Sequence, residues 1–171
     1  KRKKKFHGAY INKLLVLEDR NLLLSGDNEG IINVWRLKKN PSRALIKHLK
    51  AHKRRVEAMV LTSDNKYLLT ASGERSIKVW NTKTWKLHSE LKGHRGGVTS
   101  LLLNKDGTRL FSGGTDNQIL VWDIIKKKKE FAKKLKNLSG HEKQVSSLVL
   151  TEDERLLVSS SFDKTILVWD L

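Results

Sequence analysis

The chain contains no cysteine and lacks any run of the roughly 18 apolar residues that a membrane-spanning helix needs. Without cysteine it can have no disulfide framework, no thiolate zinc site and no thiol nucleophile. Without a long apolar run we expect no membrane insertion. The basic residues 1–5 are not followed by an apolar segment, so we also expect no secretory signal. These absences favour an intracellular location, cytoplasmic or nuclear.

Acidic residues are scarce, because 18 Asp and Glu stand against 35 Lys and Arg, which gives a net charge of +17. Two stretches concentrate the positive charge: the basic tail at 1–5, and residues 126–136, which hold seven Lys and one Glu. Such a field attracts acids, RNA or anionic lipid. Neither stretch contains several aromatic residues among its basic ones, as a surface that stacks on bases would. A solvated surface with a disordered tail is the simpler interpretation, and RNA or another polyanion stays open as a partner.

A histidine is followed 28 positions later by a tryptophan four times in the sequence. The four pairs are His7 and Trp35, His52 and Trp80, His94 and Trp122, and His141 and Trp169. Successive units begin 45, 42 and 47 residues apart. A constant internal spacing at a period of this length indicates a repeat architecture. One structural module therefore occurs four times, with insertions only between the modules.

Each unit is predicted to be a small antiparallel sheet, so the fold class is all-β. Three short apolar runs alternate with turns that contain Asp, Asn or Gly, residues that favour tight turns. A fourth and more polar strand is predicted after each of the first three units, since charge protects an exposed sheet edge. These fourth strands are expected at 44–49, 85–91 and roughly 130–135. One segment, 124–138, could instead form a Lys-rich helical turn.

These units resemble the WD-repeat (WD40) family of β-propellers. A Gly-His step stands at Gly93-His94 and Gly140-His141, and a Trp-Asp step at Trp122-Asp123 and Trp169-Asp170, whereas the first two units depart from both. The resemblance implies a single WD40 repeat domain over 1–171, with four-stranded blades. The four repeats cover about residues 6–49, 50–91, 92–138 and 139–171.

Four blades are fewer than the seven or eight that close a ring in this family. The chain is therefore expected to be part of a larger seven- or eight-bladed propeller. Two other arrangements remain open. Two copies could assemble into an eight-bladed ring, or an open arc could be completed by another chain.

The resemblance also implies a four-residue hydrogen-bond relay in each blade, formed by His, Ser or Thr, a carboxylate and Trp. The third and fourth units supply His94, Ser112, Asp116 and Trp122, and His141, Ser159, Asp163 and Trp169. The first two units supply His7, Ser25, Glu29 and Trp35, and His52, Thr70, Glu74 and Trp80. Glu is one methylene longer than Asp, so these two relays are expected to be weaker.

A Ser, His and Asp set also suggests a hydrolase triad. A nucleophile is needed once rather than four times, however, and the sequence contains no other catalytic motif. The relay is therefore predicted to be structural. We expect the protein not to be an enzyme, and we expect no cofactor and no metal.

In the family, many partners dock on the face formed by loops between blades and between second and third strands. The resemblance places two positions of each unit there: the residue before the first strand and the residue before the relay carboxylate. Aromatics and Arg dominate binding energy at interfaces, which favours Tyr10, Arg55 and Phe162. The neighbouring candidates are Lys53, Arg54, Thr115 and Gln144.

The leading functional hypothesis is a non-enzymatic scaffold that presents these loops to a protein or peptide partner. The first alternative is a basic RNA- or polyanion-binding component of a ribonucleoprotein assembly. The second is a regulatory WD40 segment of a larger multidomain enzyme. Trp85 stands outside the repeat and is expected either to cover apolar surface or to form a lateral contact.

Overall fold

The computed structural model of the protein describes residues 7–37, 44–127 and 130–171. In this part of the chain, fifteen strands form four antiparallel sheets, one for each repeat unit. The basic tail predicted at 1–5 lies outside the described residues, as do two lysines, 128 and 129, of the basic stretch at 126–136. The all-β prediction is confirmed.

The four sheets are called blades one to four, and the strands of each sheet pair in chain order. Blade one contains β1 (Ile11–Leu17), β2 (Leu22–Asp27), β3 (Ile31–Arg36) and β4 (Leu45–Lys50). Blade two contains β5 (Val56–Leu61), β6 (Tyr67–Ser72), β7 (Ser76–Asn81) and β8 (Leu87–Lys92). Blade three contains β9 (Val98–Leu103), β10 (Arg109–Gly114), β11 (Gln118–Ile124) and β12 (Ala132–Ser139). Blade four contains β13 (Val145–Leu150), β14 (Leu156–Ser161) and β15 (Ile166–Asp170).

The alternative of a helical turn over 124–138 is wrong. Residues 132–139 form β12, which pairs with β11 from Gln118 opposite Ser139 to Ile124 opposite Ala132. Phe131 precedes the strand and is buried between blades two and three. This anchor and the hydrogen bonds to β11 outweigh the repulsion among neighbouring lysines, whose side chains remain in water at the sheet edge.

β8 begins two residues later than predicted, because Trp85 belongs to the preceding turn. Its backbone is left-handed, with a φ of 56°, and its N–H donates to the carbonyl of Asn81 at 2.7 Å. Its side chain packs against the apolar cluster between blades one and two. Trp85 therefore covers apolar surface, which was one of the two expectations for it.

The turn between the first and second strands is built in the same way in blades two to four. An Asp carboxylate accepts a hydrogen bond from the backbone N–H two residues later, as Asp106 does from Thr108 at 2.9 Å. The residue between them has a positive φ, which is 71° at Gly107. Blade one replaces this turn with a short 3-10 helix, Glu18–Arg20, which ends at the left-handed Asn21.

Each blade has two faces. We call the side that carries the relay Trp the relay face and the opposite side the back face. At every internal junction the back face of one blade packs on the relay face of the next. Ile32 and Val34 of blade one, for example, share a buried cluster with Leu68 and Trp80 of blade two. The first strands of successive blades also contact one another, so they line the inside of a four-bladed arc.

Candidate protein interface

The relay of blade three is a continuous hydrogen-bond chain. The indole N–H of Trp122 donates to Ser112 Oγ at 2.9 Å, and Ser112 Oγ lies 2.8 Å from His94 Nε2. Nδ1 of His94 lies 3.0 Å from both carboxylate oxygens of Asp116. A neutral imidazole protonated at Nδ1 satisfies every contact, because Nδ1–H donates to the carboxylate and Nε2 accepts from the hydroxyl.

Blade four repeats this chain. The separations are 2.9 Å between Trp169 Nε1 and Ser159 Oγ, 2.7 Å between Ser159 Oγ and His141 Nε2, and 2.8 Å between His141 Nδ1 and Asp163. In blades three and four, the glycine before the relay His makes room for the indole. A Cβ added to Gly93 would lie 2.9 Å from the Trp122 ring, and one added to Gly140 would lie 3.0 Å from the Trp169 ring.

Blade two has the same relay with Glu in place of Asp. His52 Nδ1 lies 2.7 Å from Glu74 Oε2, His52 Nε2 lies 2.8 Å from Thr70 Oγ1, and the Trp80 indole donates to Thr70 at 2.9 Å. The bonds from His52 and Trp80 are therefore as short as in blades three and four, whereas the bond from the Lys53 N–H to Glu74 is longer, at 3.4 Å. Burial disfavours the charge on Glu74, but the hydrogen bond with His52 and the nearby Lys78 ammonium lower its pKa.

In blade one the carboxylate of the relay is Asp27, and the prediction of Glu29 at this position is wrong. Asp27 Oδ2 lies 2.7 Å from His7 Nδ1, while Ser25 lies 2.7 Å from both His7 Nε2 and Trp35 Nε1. Glu29 was predicted because it lies at the same distance before the Trp as the relay carboxylates of the other units. That prediction assumes that the turn between the second and third strands has the same shape in every blade. Here Asp27 caps its own turn by accepting the backbone N–H groups of Glu29 and Ile31. An Asp that precedes a Gly-containing turn is a sequence signal for such capping.

The relay hydroxyls are placed for structure rather than for catalysis. Ser25, Thr70, Ser112 and Ser159 are all buried, and each accepts the indole N–H of its blade. A substrate cannot contact an oxygen in that position. Within the described residues, no group of three His, Asp or Glu side chains is arranged to hold a metal ion. The helix found in this part of the chain has three residues, too short to cross a membrane.

The relay carboxylates also hold the backbone of the loop that follows the relay His. Asp116 accepts the N–H of Arg95 at 2.7 Å, and Asp163 accepts the N–H of Glu142 at 2.9 Å. The equivalent bond in blade two runs from Lys53 to Glu74 at 3.4 Å. Each relay therefore ties the buried Trp to a surface loop. The stability of the blade and the rigidity of the loop depend on the same bonds.

We expect the free energy of unfolding to fall as the pH drops from about 4 to about 2. Burial disfavours the charge on Asp116, but hydrogen bonds from His94 and from backbone N–H groups lower its pKa from 3.8 to about 2. The unfolded chain therefore takes up the proton first. Stability from this group is complete above the unfolded pKa and is lost as the pH falls through the folded one. The loss amounts to about 2 kcal/mol.

Urea unfolding of the native protein and of Asp116→Asn, compared at about pH 5 and about pH 2, measures this contribution. The acid-induced loss should be smaller in the variant. An equal loss in both proteins would assign the acid sensitivity to other carboxyl groups.

We call the surface formed by the loops after each relay His and by the turns between second and third strands the loop face. Its segments are residues 8–10, 53–55, 95–97 and 142–144, and residues 28–29, 73–75, 115–116 and 162–163. In three blades the two kinds of segment are joined by a backbone hydrogen bond: from Asn28 to Tyr10, from Thr115 to Gly97, and from Phe162 to Gln144, at 2.8 to 3.1 Å. The two positions predicted for partner contacts therefore lie side by side in each of these blades.

The predicted contact residues differ in how freely they are presented. Tyr10 is 84% exposed and Phe162 is 62% exposed, although the backbone of each is hydrogen-bonded. Lys53, Arg54 and Thr115 are also exposed, whereas Gln144 is half-buried. The candidates lie in all four blades, so they follow the arc rather than forming one patch.

Arg55 is exposed but already has a partner. Its guanidinium forms two hydrogen bonds with Glu57, at 3.0 and 2.8 Å. Those bonds and the negative charge of Glu57 raise the pKa of Arg55. Arg55 and Glu57 therefore present a nearly neutral pair. Arg95 was not among the predicted contact residues, but it is exposed on the equivalent loop of blade three. Its position next to the relay His was the available signal.

A family model described as WD domain, G-beta repeat matches residues 43–81, 85–123 and 132–170, about two thirds of the chain. WD repeat-containing protein 55 of Bos taurus is 39% identical over 79 residues, which are 46% of this chain and 20% of that protein. Target of rapamycin complex subunit LST8-1 of Arabidopsis thaliana is 31% identical over 85 residues, which are 47% of this chain and 28% of that protein. The matches thus span less than a third of these relatives.

Two computationally designed proteins have similar crystal structures. The Ika4 protein aligns with a TM-score of 0.79 at 26% identity, over 99% of this chain and 96% of that chain. The Ika8 protein aligns with a TM-score of 0.78 at 26% identity, over 96% of this chain and 47% of that chain. The four-bladed arc therefore matches all of one designed chain and half of the other.

Proposed function

Because this chain belongs to the WD40 repeat family, we propose that it is a non-enzymatic scaffold whose loop face binds a protein or peptide partner. One observation carries the proposal. Two large aromatic side chains, Tyr10 and Phe162, are exposed on loops whose backbones are hydrogen-bonded. An exposed aromatic on an ordered backbone loses little conformational freedom when it is covered. Such residues dominate the energetics of protein interfaces.

The charge of the loop face supports a partner with acidic groups. Lys53, Arg54, Arg95 and Lys143 are exposed on loops of three successive blades. Positive side chains in this arrangement accelerate association with an acidic surface and disfavour basic competitors. Arg55 contributes less to this field because Glu57 neutralises it. We therefore infer an acidic peptide segment with an apolar anchor as the best-fitting partner.

The names of the relatives are consistent with a role in an assembly. Two of the similar proteins, LST8-1 of Arabidopsis thaliana and wat1 of Schizosaccharomyces pombe, are named as subunits of the target of rapamycin complex. A subunit contacts other members of its assembly. We extend only that general role to this chain. The same contact role would fit a regulatory WD40 segment of a larger multidomain enzyme, which is the second alternative.

Combined replacement of Tyr10, Arg55 and Phe162 by alanine is expected to reduce capture of the partner by tenfold or more, since one interface anchor contributes about 2 kcal/mol. All three side chains are exposed, so the fold should be unaffected. The measurement is affinity purification followed by a binding titration with the purified partner.

The matched control replaces Leu87, Lys92 and Leu135, which are exposed on the outer strands β8 and β12. Their replacement by alanine should leave capture unchanged. Equal capture by both triple variants would place the binding surface elsewhere.

The same purification distinguishes the scaffold from the polyanion-binding alternative. The net charge of +17 favours that alternative. RNA bound through six or more phosphates would lose about a thousandfold in affinity between roughly 50 and 200 mM salt. Captured material dominated by RNA with that salt dependence would support the alternative. A protein partner that remains bound at the higher salt would support the scaffold.

A further inference from the structure

The two ends of the arc expose faces that are buried at every internal junction. On the back face of blade four, Ile166 is 70% exposed and Val168 is 60% exposed. The same positions in blades one to three carry the same residue types, and those are buried: Ile32, Ile77 and Ile119, and Val34, Val79 and Val121. Identical side chains at equivalent positions indicate that the back face of blade four is also built to pack on a relay face.

The relay face of blade one is the matching surface. Leu14 is 66% exposed, whereas its counterpart Met59 in blade two is buried against blade one. Leu23 is half-buried, whereas its counterparts Leu68, Leu110 and Leu157 are buried completely. Trp35 is half-buried, as Trp169 is at the third junction, whereas Trp80 and Trp122 are buried. Blade one therefore presents the kind of face that receives a back face at the three internal junctions.

Polar contacts along the inner strands show the same pattern. At the first junction Asn12 Nδ2 donates to the carbonyl of Val56 at 2.6 Å, and at the third junction Thr99 Oγ1 donates to the carbonyl of Val145 at 2.5 Å. Ser146 occupies the equivalent position in blade four and is exposed, with its hydroxyl 2.8 Å from Ser160 Oγ. The acceptor equivalent to the carbonyls of Val56 and Val145 in blade one is the carbonyl of Ile11.

A second copy of the arc has the two faces needed to cover both ends at once. Most of this chain aligns with 47% of the Ika8 chain, so a chain of that length has room for about eight blades of the same kind and curvature. A second copy would supply four further blades of the same kind. It also supplies both missing faces, because each copy carries one of each. A head-to-tail contact of this type closes when the rotation between copies completes a circle.

We propose that two copies of this chain close into one eight-bladed ring. The back face of blade four of each copy packs on the relay face of blade one of the other. The ring has two identical junctions that continue the geometry of the three internal ones. Ile166 and Val168 of one copy then lie against Leu14, Leu23 and Trp35 of the other. This proposal is independent of the loop-face function, because the loop face lies on neither of the packed faces.

The test is the mass of the 171-residue protein in solution, measured by light scattering or sedimentation at roughly 0.3 M salt so that repulsion between the basic copies is screened. One chain has a mass of 19.6 kDa, so a ring of two copies has a mass of about 39 kDa. A single species of that mass is expected. A monomer, or a series of larger species, would overturn the proposal.

Two variants locate the junction. Ile166→Glu changes the back face of blade four, and Leu14→Glu changes the relay face of blade one. Each junction of the ring joins the back face of blade four to the relay face of blade one. Either substitution therefore alters both junctions, and each should convert the dimer to a monomer. Both residues are exposed within one copy, so a native circular dichroism spectrum is expected. Leu135→Glu, an exposed substitution on the outer strand β12, is the matched control and should remain dimeric.

Mixing the two variants distinguishes this pairing from a symmetric contact between like faces. One copy of each variant retains one intact junction, so the mixture should regain a species of two chains. A dimer that survives Leu14→Glu would show that blade one is not in the contact. A mixture that remains monomeric would likewise contradict head-to-tail packing.

Discussion

Replacing Trp122 by alanine is expected to lower the free energy of unfolding by about 3–5 kcal/mol. The ring is 2% exposed and lies in the buried cluster between blades two and three. It packs against Gly93, and its N–H bonds Ser112. The substitution therefore opens a cavity at a blade junction and removes one bond of the relay. Both effects weaken the junction between blades two and three, because Trp122 packs against residues of both.

Trp122→Phe separates these two contributions. Phenylalanine keeps most of the apolar ring but cannot donate to Ser112, whose oxygen would lose one of its two buried partners. The expected loss is about 1–3 kcal/mol, the range for leaving a buried polar group unpaired. Urea unfolding followed by tryptophan fluorescence measures both variants.

Trp35→Ala is the matched control, because Trp35 belongs to the relay of blade one but is less buried. With both alanine substitutions made in the Ile166→Glu variant, in which no second copy covers blade one, removal of Trp35 should reduce stability by clearly less than removal of Trp122. Equal losses for the two alanine variants would show that burial between blades does not determine the contribution of the relay Trp.

Replacing Asp27 by alanine is expected to lower the free energy of unfolding by about 3 kcal/mol. Its side chain is completely buried and bonds Nδ1 of His7 at 2.7 Å. It also accepts the backbone N–H groups of Glu29 and Ile31 at 3.0 and 2.9 Å. The substitution leaves several donors without an acceptor at one turn. A buried charged acceptor with that many partners is costly to remove.

Glu29→Ala tests the assignment directly, because Glu29 is the residue that spacing alone would place in the relay. Glu29 is exposed, and its loss should change stability by less than about 0.5 kcal/mol. Asp27→Asn keeps an acceptor oxygen but no charge. Its loss in the free energy of unfolding should lie between those of Glu29→Ala and Asp27→Ala. A larger loss from Glu29→Ala than from Asp27→Ala would restore the original assignment.

The repeat period and the turn residues predicted the strands well because both depend on local chemistry. Alternating apolar side chains, and Asp or Gly at tight turns, act over a few residues. The strand boundaries that differ from the prediction depend on contacts with other blades. β12 is shifted because Phe131 is buried against another blade, and β8 is shortened because Trp85 packs into the cluster between blades one and two.

The site residues show the same division. The family resemblance implied the relay of His94, Ser112, Asp116 and Trp122, and the structure brings these residues together, since their separation is set by one blade. The resemblance misplaced the carboxylate of blade one, where the turn has a different shape. It also assigned Arg55 to a free anchor position, although Glu57 neutralises the guanidinium from a position two residues away.

By itself the sequence determined the repeat, the four-bladed plan, the relay residue types and the family resemblance. The repeat follows from periodicity and the relay residue types follow from the resemblance, and neither requires knowledge of what lies across the fold. Only the tertiary structure decided that Asp27 rather than Glu29 bonds His7, and that Phe131 is an anchor between blades. It also decided that Ile166 and Val168 are exposed while identical residues in the other blades are buried. Burial and hydrogen bonding depend on the neighbouring blade, so identical residues differ in exposure where one of them has no neighbouring blade within the described chain.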